Sequence, residues 1–288
     1  MLSIENLDHT YSNGIHAIKN VSLDIPRGMF GLLGPNGAGK SSLMRTIATL
    51  QQPTSGRIRF DDIDVLAEPA KVRRVLGYLP QQFGVYPRGS AYELLDHLAV
   101  LKGLTDSRER KRTVMTLLVL TNLYEKRSQT LATYSGGMLK RFGVAQALLG
   151  NPRLLIVDEP TAGLDPEERN RFHNMLAEIS GDVVVVLSSH FVDDVAVLCP
   201  NVAVIAQGKV ALRGTPTELV ASIEGKIWQQ QIEKSELAAV QAESNVLSHY
   251  YSAGKLLVRV LADSRPGSHF VQATATLEDV YFAAIKAT

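Results

Sequence analysis

The chain has 288 residues, which allows one large domain and a smaller one. Hydrophobic residues make up 45%, so a sizeable core is available, and a net charge of +1 gives no electrostatic case for nucleic acid or an acidic membrane surface. A single cysteine, Cys199, excludes an internal disulfide and fits a reducing compartment.

The first residues carry no basic stretch followed by an apolar run, so no ordinary signal peptide is expected. No segment reaches the roughly 18 apolar residues that span a bilayer. Residues 1–28 read as antiparallel strands around Asn13-Gly14, a strong hairpin signal. Tyr11, just before that turn, suits either stacking on an adenine ring or a half-buried strand position. Met29–Leu33 reads as a short buried strand and Lys40–Leu50 as a helix. Between them lies Gly34-Pro-Asn-Gly-Ala-Gly-Lys-Ser41, which fits Gly, four free positions, then Gly-Lys-Ser/Thr. Gly34, Gly37 and Gly39 permit close backbone approach, and successive N–H groups can then surround a phosphate. Lys40 brings a compact charge to the outer phosphates, and Ser41 offers a hydroxyl to Mg²⁺. A helix starting there points its positive end at the anion.

Residues 56–61 and 75–79 read as further short strands, the second ending at Pro80-Gln81-Gln82. Gln81 there suits a metal or water contact, or an ordinary loop. Residues 91–150 change to helical periodicity, with Ala91–Gly103 and Ser107–Leu123 as helices, which suggests an insertion in an α/β core. Ser135-Gly136-Gly137 then opens an apolar helix, as an N-cap or as a second anion site. Leu154–Val157 reads as a central parallel strand. It delivers Asp158 and Glu159 at its carboxyl end, where open α/β sheets place their ligands. Asp158 is suited to Mg²⁺, and Glu159 to orienting water or accepting its proton. Asp165-Pro166-Glu-Glu168 reads as an N-cap, first helical position and capping box for a helix to about Ile179. Val183–Leu187 is another buried strand ending in Ser188-Ser-His190. Val202–Ala206 and Gly208–Leu212 suggest a closing hairpin. Beyond Thr215-Pro216 the pattern becomes a small α+β unit. Its strands are expected at Trp228–Ile232, Asn245–Tyr251 and Lys255–Leu261, and its helices at Ser235–Ala242 and after Thr276.

Taken in this order, the motifs resemble the ATPase subunit of an ABC transporter over about residues 1–220. The resemblance rests on Gly34–Ser42, Gln81, Tyr134–Met138, Leu154–Glu159, Gly163–Asp165 and His190. It implies an α/β fold: a P-loop ABC ATPase with a RecA-like core, an antiparallel β subdomain, a helical subdomain at about 88–150 and a small C-terminal α+β domain at 221–288. It implies ATP and Mg²⁺ as ligands. Tyr11 matches the aromatic that stacks on adenine. Asn36, Gly37, Ala38, Gly39, Lys40, Ser41 and Ser42 would hold the phosphates and Mg²⁺. Gln81 matches a Mg²⁺-sensing glutamine, Asp158 the Mg²⁺ aspartate, Glu159 the catalytic base and His190 the γ-phosphate contact. Ser135, Gly136 and Gly137 match a signature loop that caps ATP on the opposite subunit, and Asp165 a loop that communicates across that dimer. Tyr134 and Met138 depart from the commonest signature form, Leu-Ser-Gly-Gly-Gln, while the Ser-Gly-Gly centre is intact. The Tyr-Ser-Gly-Gly-Met form, with Thr276-Leu-Glu-Asp-Val-Tyr281 near the end, looks like the subgroup that powers type-two ABC exporters.

The resemblance implies a second ATPase copy, most simply of the same chain, and an integral membrane permease. Gln81, Phe83 and Tyr86 would pass closure of the dimer to it. It places the protein peripherally on the cytoplasmic side of the cell membrane. No nucleic acid partner is expected. A soluble ABC ATPase acting on DNA or ribosomes is the alternative, though neither zinc cysteines nor a second cassette is visible. A P-loop kinase or GTPase fits less well, since no acceptor site and no Asn-Lys-x-Asp is evident.

Overall fold

The computed structural model describes residues 1–81, 84, 86 and 88–288. Phe83 lies outside them. The chain opens with two long strands, β1 (Leu2–Thr10) and β2 (His16–Ile25), joined at Asn13-Gly14. β1 also pairs with β4 (Ser55–Phe60), and β4 with β5 (Ile63–Asp64), giving an antiparallel sheet in the order β2-β1-β4-β5. This sheet alternates buried and exposed positions, as a sheet with one face on a core should.

The central sheet has six strands in the order β10-β9-β3-β8-β7-β6. They are β3 (Gly28–Leu33), β6 (Leu76–Leu79), β7 (Leu154–Asp158), β8 (Val184–Ser189), β9 (Asn201–Ala206) and β10 (Lys209–Gly214). β6, β7, β8, β3 and β9 run parallel, and β10 returns antiparallel to β9. β7 and β8 are buried at every position, because both faces of this sheet are covered. Side chains alternate between those faces. Leu32, Ile156 and Val186 join Leu2, Ile4, Phe60 and Leu43 under the antiparallel sheet. Leu33, Leu155, Val157 and Leu187 join Phe172, Leu176 and Val195 on the opposite side.

The helices are α1 (Lys40–Ile47), α2 (Pro69–Val75), α3 (Ala91–Leu101), α4 (Ser107–Leu120), α5 (Gly136–Leu148), α6 (Pro166–Ile179), α7 (Val192–Leu198), α8 (Pro216–Ala221), α9 (Leu237–Glu243) and α10 (Leu277–Lys286). α3, α4 and α5 enclose their own core of Leu95, Leu118, Leu131, Phe142 and Ala145. α3 begins with a reciprocal Ser90–Glu93 capping box. α1 ends at Ile47, three residues before the expected Leu50, with Thr49 at φ 59° closing it. α6 keeps its Asp165 cap, but the expected capping box does not form. Glu168 turns its carboxylate to Arg141 of α5, at 2.8 Å, instead of back to the cap. α2, α7 and α8 were outside the sequence expectations: each is only six or seven residues long.

After residue 221 come β11 (Ile227–Ile232), β12 (Val246–Ser252), β13 (Lys255–Leu261) and β14 (Val271–Gln272), in the order β12-β13-β11-β14. Val258, Val260 and Phe270 form a small core with α9 beside it. The last helix does something else. Leu277, Val280, Tyr281 and Ala284 enter the large core against the central sheet. Arg259 of β13 donates to both carboxylate oxygens of Asp279, at 2.8 and 2.7 Å, and so ties the small sheet to that helix. Burying this pair is affordable only because its geometry is bidentate. Substituting Leu277→Ala is expected to remove about 3 kcal/mol from one cooperative unfolding transition of the whole chain, read by urea denaturation. Two transitions, with only one of them shifted, would contradict this integration.

Candidate active site

Parallel pairing puts three strand ends at one level. Leu33 of β3 lies opposite Ser189 of β8, and Asp158 of β7 opposite Ser188. The loop 34–39, Glu159 and His190 therefore emerge side by side. A cleft of about 540 Å³ opens there, lined by Tyr11, Ile15, residues 35–42, Gln81, Glu159 and Gly208, among others.

The loop shape depends on its glycines at two points. Gly39, at φ +108°, caps α1, and a side chain there would meet the Ala17 carbonyl oxygen at 2.4 Å. Gly37, at φ +79°, has open space around it, so its backbone conformation alone favours glycine. Lys40 is 4% exposed and donates to the carbonyls of Gly34 at 2.6 Å and Pro35 at 3.2 Å. Burial pushes its pKa below the ordinary 10.5, while the nearby Glu159 and Asp158 carboxylates hold it back up. A phosphate in the loop would favour the protonated amine and so oppose that shift.

Asp158 is 3% exposed, and its Oδ1 accepts a hydrogen bond from Ser188 Oγ at 2.6 Å. The same Ser188 hydroxyl accepts from the Glu159 N–H at 3.0 Å. Glu159 sits at φ 47°, an uncommon conformation for a non-glycine residue, and those contacts with the end of β8 hold it there. Gln81 Nε2 donates to Glu159 Oε2 at 2.8 Å, and His190 Nδ1 lies 3.3 Å from Oε1. Each carboxylate oxygen therefore faces one polar neighbour. Tyr11 lines the cleft with its hydroxyl 2.8 Å from Ser42 Oγ, and its ring packs edge-on to His9.

The cleft thus gathers Tyr11, Asn36, Gly37, Ala38, Gly39, Lys40, Ser41, Ser42, Gln81 and Glu159, with Asp158 and His190 directly behind its rim. It does not gather the remaining candidates. Ser135 and Gly136 are exposed at the start of α5, where Ser135 Oγ accepts from the Met138 N–H. Gly137 packs close to the Glu168 side chain, and Asp165 is exposed at the start of α6. Lys140 was missed in the sequence: it donates to the Ala162 carbonyl, and burial lowers its pKa while the Glu159 carboxylate works against that shift. Only its place one turn after Ser135-Gly136-Gly137 could have pointed to it.

Residues 18–162 match the ABC transporter family. The chain is also similar to an uncharacterized ABC transporter ATP-binding protein of Bacillus subtilis, YxlF, at 32% identity over the full length of both. The chain belongs to the ABC transporter family, as an ATP-binding subunit. It is 34% identical to the daunorubicin/doxorubicin resistance ATP-binding protein DrrA of Streptomyces peucetius, over 88% of this chain and 79% of that one. Among solved structures, it resembles a dimeric ATP-binding cassette in a post-hydrolysis state bound to ADP and Pi. That likeness has TM-score 0.67 and 28% identity, over 75% of this chain and 98% of the other. This ABC subunit binds and hydrolyses ATP, and its fold is the α/β fold of that cassette.

Substituting Lys40→Met is expected to weaken ATP binding at least about tenfold, the loss of a charged hydrogen bond. In the parent protein, affinity should fall as pH rises toward 10.5, because Lys40 loses its proton below the ordinary lysine value. Fluorescent-nucleotide titrations at several pH values check this. An equal pH slope in parent and variant would contradict the placement of Lys40.

Proposed function

We propose that this subunit drives an exporter whose path across the membrane belongs to a separate integral membrane permease. Among the described residues no helix is long and apolar enough to cross a membrane, and the permease would supply the crossing. The subunit then sits peripherally on the cytoplasmic face of the cell membrane. Export is supported by the resistance function named for DrrA and by the Tyr-Ser-Gly-Gly-Met loop. These transport relatives weigh against the nucleic-acid alternative. Residues 1–220 would act as the ATPase unit, with 88–150 as its helical subdomain and 221–288 as an accessory unit moored by α10.

The observation that carries the reading is Glu159, held between Gln81 and His190 beside the Lys40 loop. In the proposed mechanism, backbone N–H groups of residues 36–42 and the start of α1 hold the phosphates of ATP. Lys40 neutralises charge on the transferring phosphoryl group. Glu159 orients water for in-line attack and takes up its proton, while His190 contacts the γ-phosphate. Tyr11 offers its ring to the adenine. Among the described residues no three His, Cys, Asp or Glu side chains gather as a metal site. Mg²⁺ commonly takes one or two protein oxygens and lets phosphate and water complete its shell, and the buried Asp158 carboxylate and the Ser41 hydroxyl are oxygens of that kind. Ser41, Asp158 and Gln81 would hold it, and when bound it supplies positive charge to the phosphate oxygens.

Ser135, Gly136, Gly137 and Asp165 do not line the cleft of their own chain. Two copies would bring each signature loop over the other copy's ATP, with Asp165 at the contact. Closing that dimer would act on the permease through Gln81 and Tyr86.

Substituting Glu159→Gln should leave ATP binding intact and lower steady-state turnover at least about 100-fold. Detergent extraction of the tagged, ATP-held variant from host membranes should recover a multi-spanning protein in equal amount. Normal turnover would overturn the role of Glu159. Recovery of ribosomal proteins or nucleic acid instead would overturn the transport reading.

A further inference from the structure

Behind the cleft sits a buried carboxylate that the proposed chemistry does not use. Asp194, in α7, is 1% exposed. A carboxylate that deep is costly unless polar partners surround it, and here four side chains from three parts of the fold do so. Thr161 Oγ1, two residues past Glu159, donates to Oδ2 at 2.5 Å. Ser189 Oγ, next to His190, donates more weakly to the same oxygen at 3.4 Å. Arg169 Nε, on α6, donates to Oδ1. His173 Nε2, also on α6, lies 3.0 Å from Oδ1.

These contacts run to both groups that flank the attacking water. The Thr161 bond anchors the turn that follows Glu159, and Glu159 itself is held at φ 47°. On the other side, the guanidinium of Arg169 lies 5.5 Å from the centre of the Phe191 ring. Phe191 in turn packs on the His190 imidazole, with centroids 4.0 Å apart. Ser189 Oγ accepts from the Phe191 N–H at 2.9 Å, which fixes the turn that presents His190. Asp194 therefore closes a ring: Glu159 turn, Thr161, Asp194, Arg169, Phe191, His190, and back to Glu159 across 3.3 Å.

We infer that Asp194 is a positioning residue for hydrolysis, setting the spacing of Glu159 and His190 through Thr161 and through Arg169 and Phe191. The inference rests on the reading of Glu159 and His190 given above. Asparagine has the same shape but no charge: its NH2 can meet Thr161 only if that hydroxyl reverses to accept, and Arg169 keeps an oxygen but loses its ion pair. The Glu159–His190 spacing then loosens while the loop 34–42, on another strand, keeps its shape. Misplacement on the order of 1 Å costs about 100-fold in rate.

The experiment compares Asp194→Asn, His190→Ala, the double variant and Glu159→Gln in steady-state ATP hydrolysis and in fluorescent-nucleotide binding. Asp194→Asn is expected to lower kcat about 10- to 100-fold with KM and nucleotide affinity unchanged. In the His190→Ala background the same substitution should cost markedly less, because part of its effect runs through His190. Thr161→Val, which removes one of the donors and keeps the carboxylate, should reproduce the kcat loss in part. The inference is overturned if Asp194→Asn turns over like the parent, or if kcat and affinity fall together in both Asp194→Asn and Thr161→Val. Full independence from His190→Ala would overturn it too. If Glu159→Gln hydrolyses normally, the site reading itself has failed, a result distinct from a silent Asp194→Asn.

Discussion

Leu33 stands opposite Ser189, and Asp158 opposite Ser188, and those two pairings decide where the loop 34–39, Glu159 and His190 stand. Parallel strands of equal reach put their carboxyl ends on one line, so a loop, an acid and an imidazole from three distant parts of the chain become neighbours. A slip of one residue would turn each side chain to the opposite face of the sheet. The register is safe because both faces are buried. Leu32 and Leu33 belong to different cores, as do Ile156 and Val157, and a slip would exchange all of them.

On that frame the cleft balances buried charge. Lys40 is inside, its proton weakened by burial, with two carboxylates near enough to support it. Asp158 takes a hydrogen bond from the Ser188 hydroxyl, and the same hydroxyl receives the Glu159 N–H, so one side chain of β8 positions two successive acids at the end of β7. Glu159 keeps its two oxygens turned to Gln81 and His190. A site that gathers this much charge is shaped for a highly charged ligand, and ATP is one.

Much of this was legible in the amino-acid sequence. The loop 34–41, the buried strands and the acids after β7 follow from local pattern, since glycine placement and continuous apolar runs have local causes. Three features were not. Glu168 reads as a capping partner for Asp165 because the spacing is right, yet Arg141, 27 residues earlier, takes it; a tertiary ion pair overrode a local motif. α7 is seven residues long and has no side-chain cap, so it leaves little periodicity to find, and nothing local marks Asp194 within it as buried. α10 shows its apolar face plainly, but only the fold reveals that this face packs on the central sheet instead of the small C-terminal one.

One chain carries two faces that do not meet within it: the cleft, and the exposed Ser135-Gly136 start of α5. The central claim is that a second copy joins them. The most direct measurement mixes two inactive variants. Lys40→Met spoils the loop, and Gly136→Asp spoils the opposite face while fitting the open space around Gly136. If each site is built from one loop and the other copy's Gly136, the mixture contains sites with both parts intact, and ATP hydrolysis returns. If each chain completes its own site, the mixture stays as inactive as either parent, and the account is contradicted.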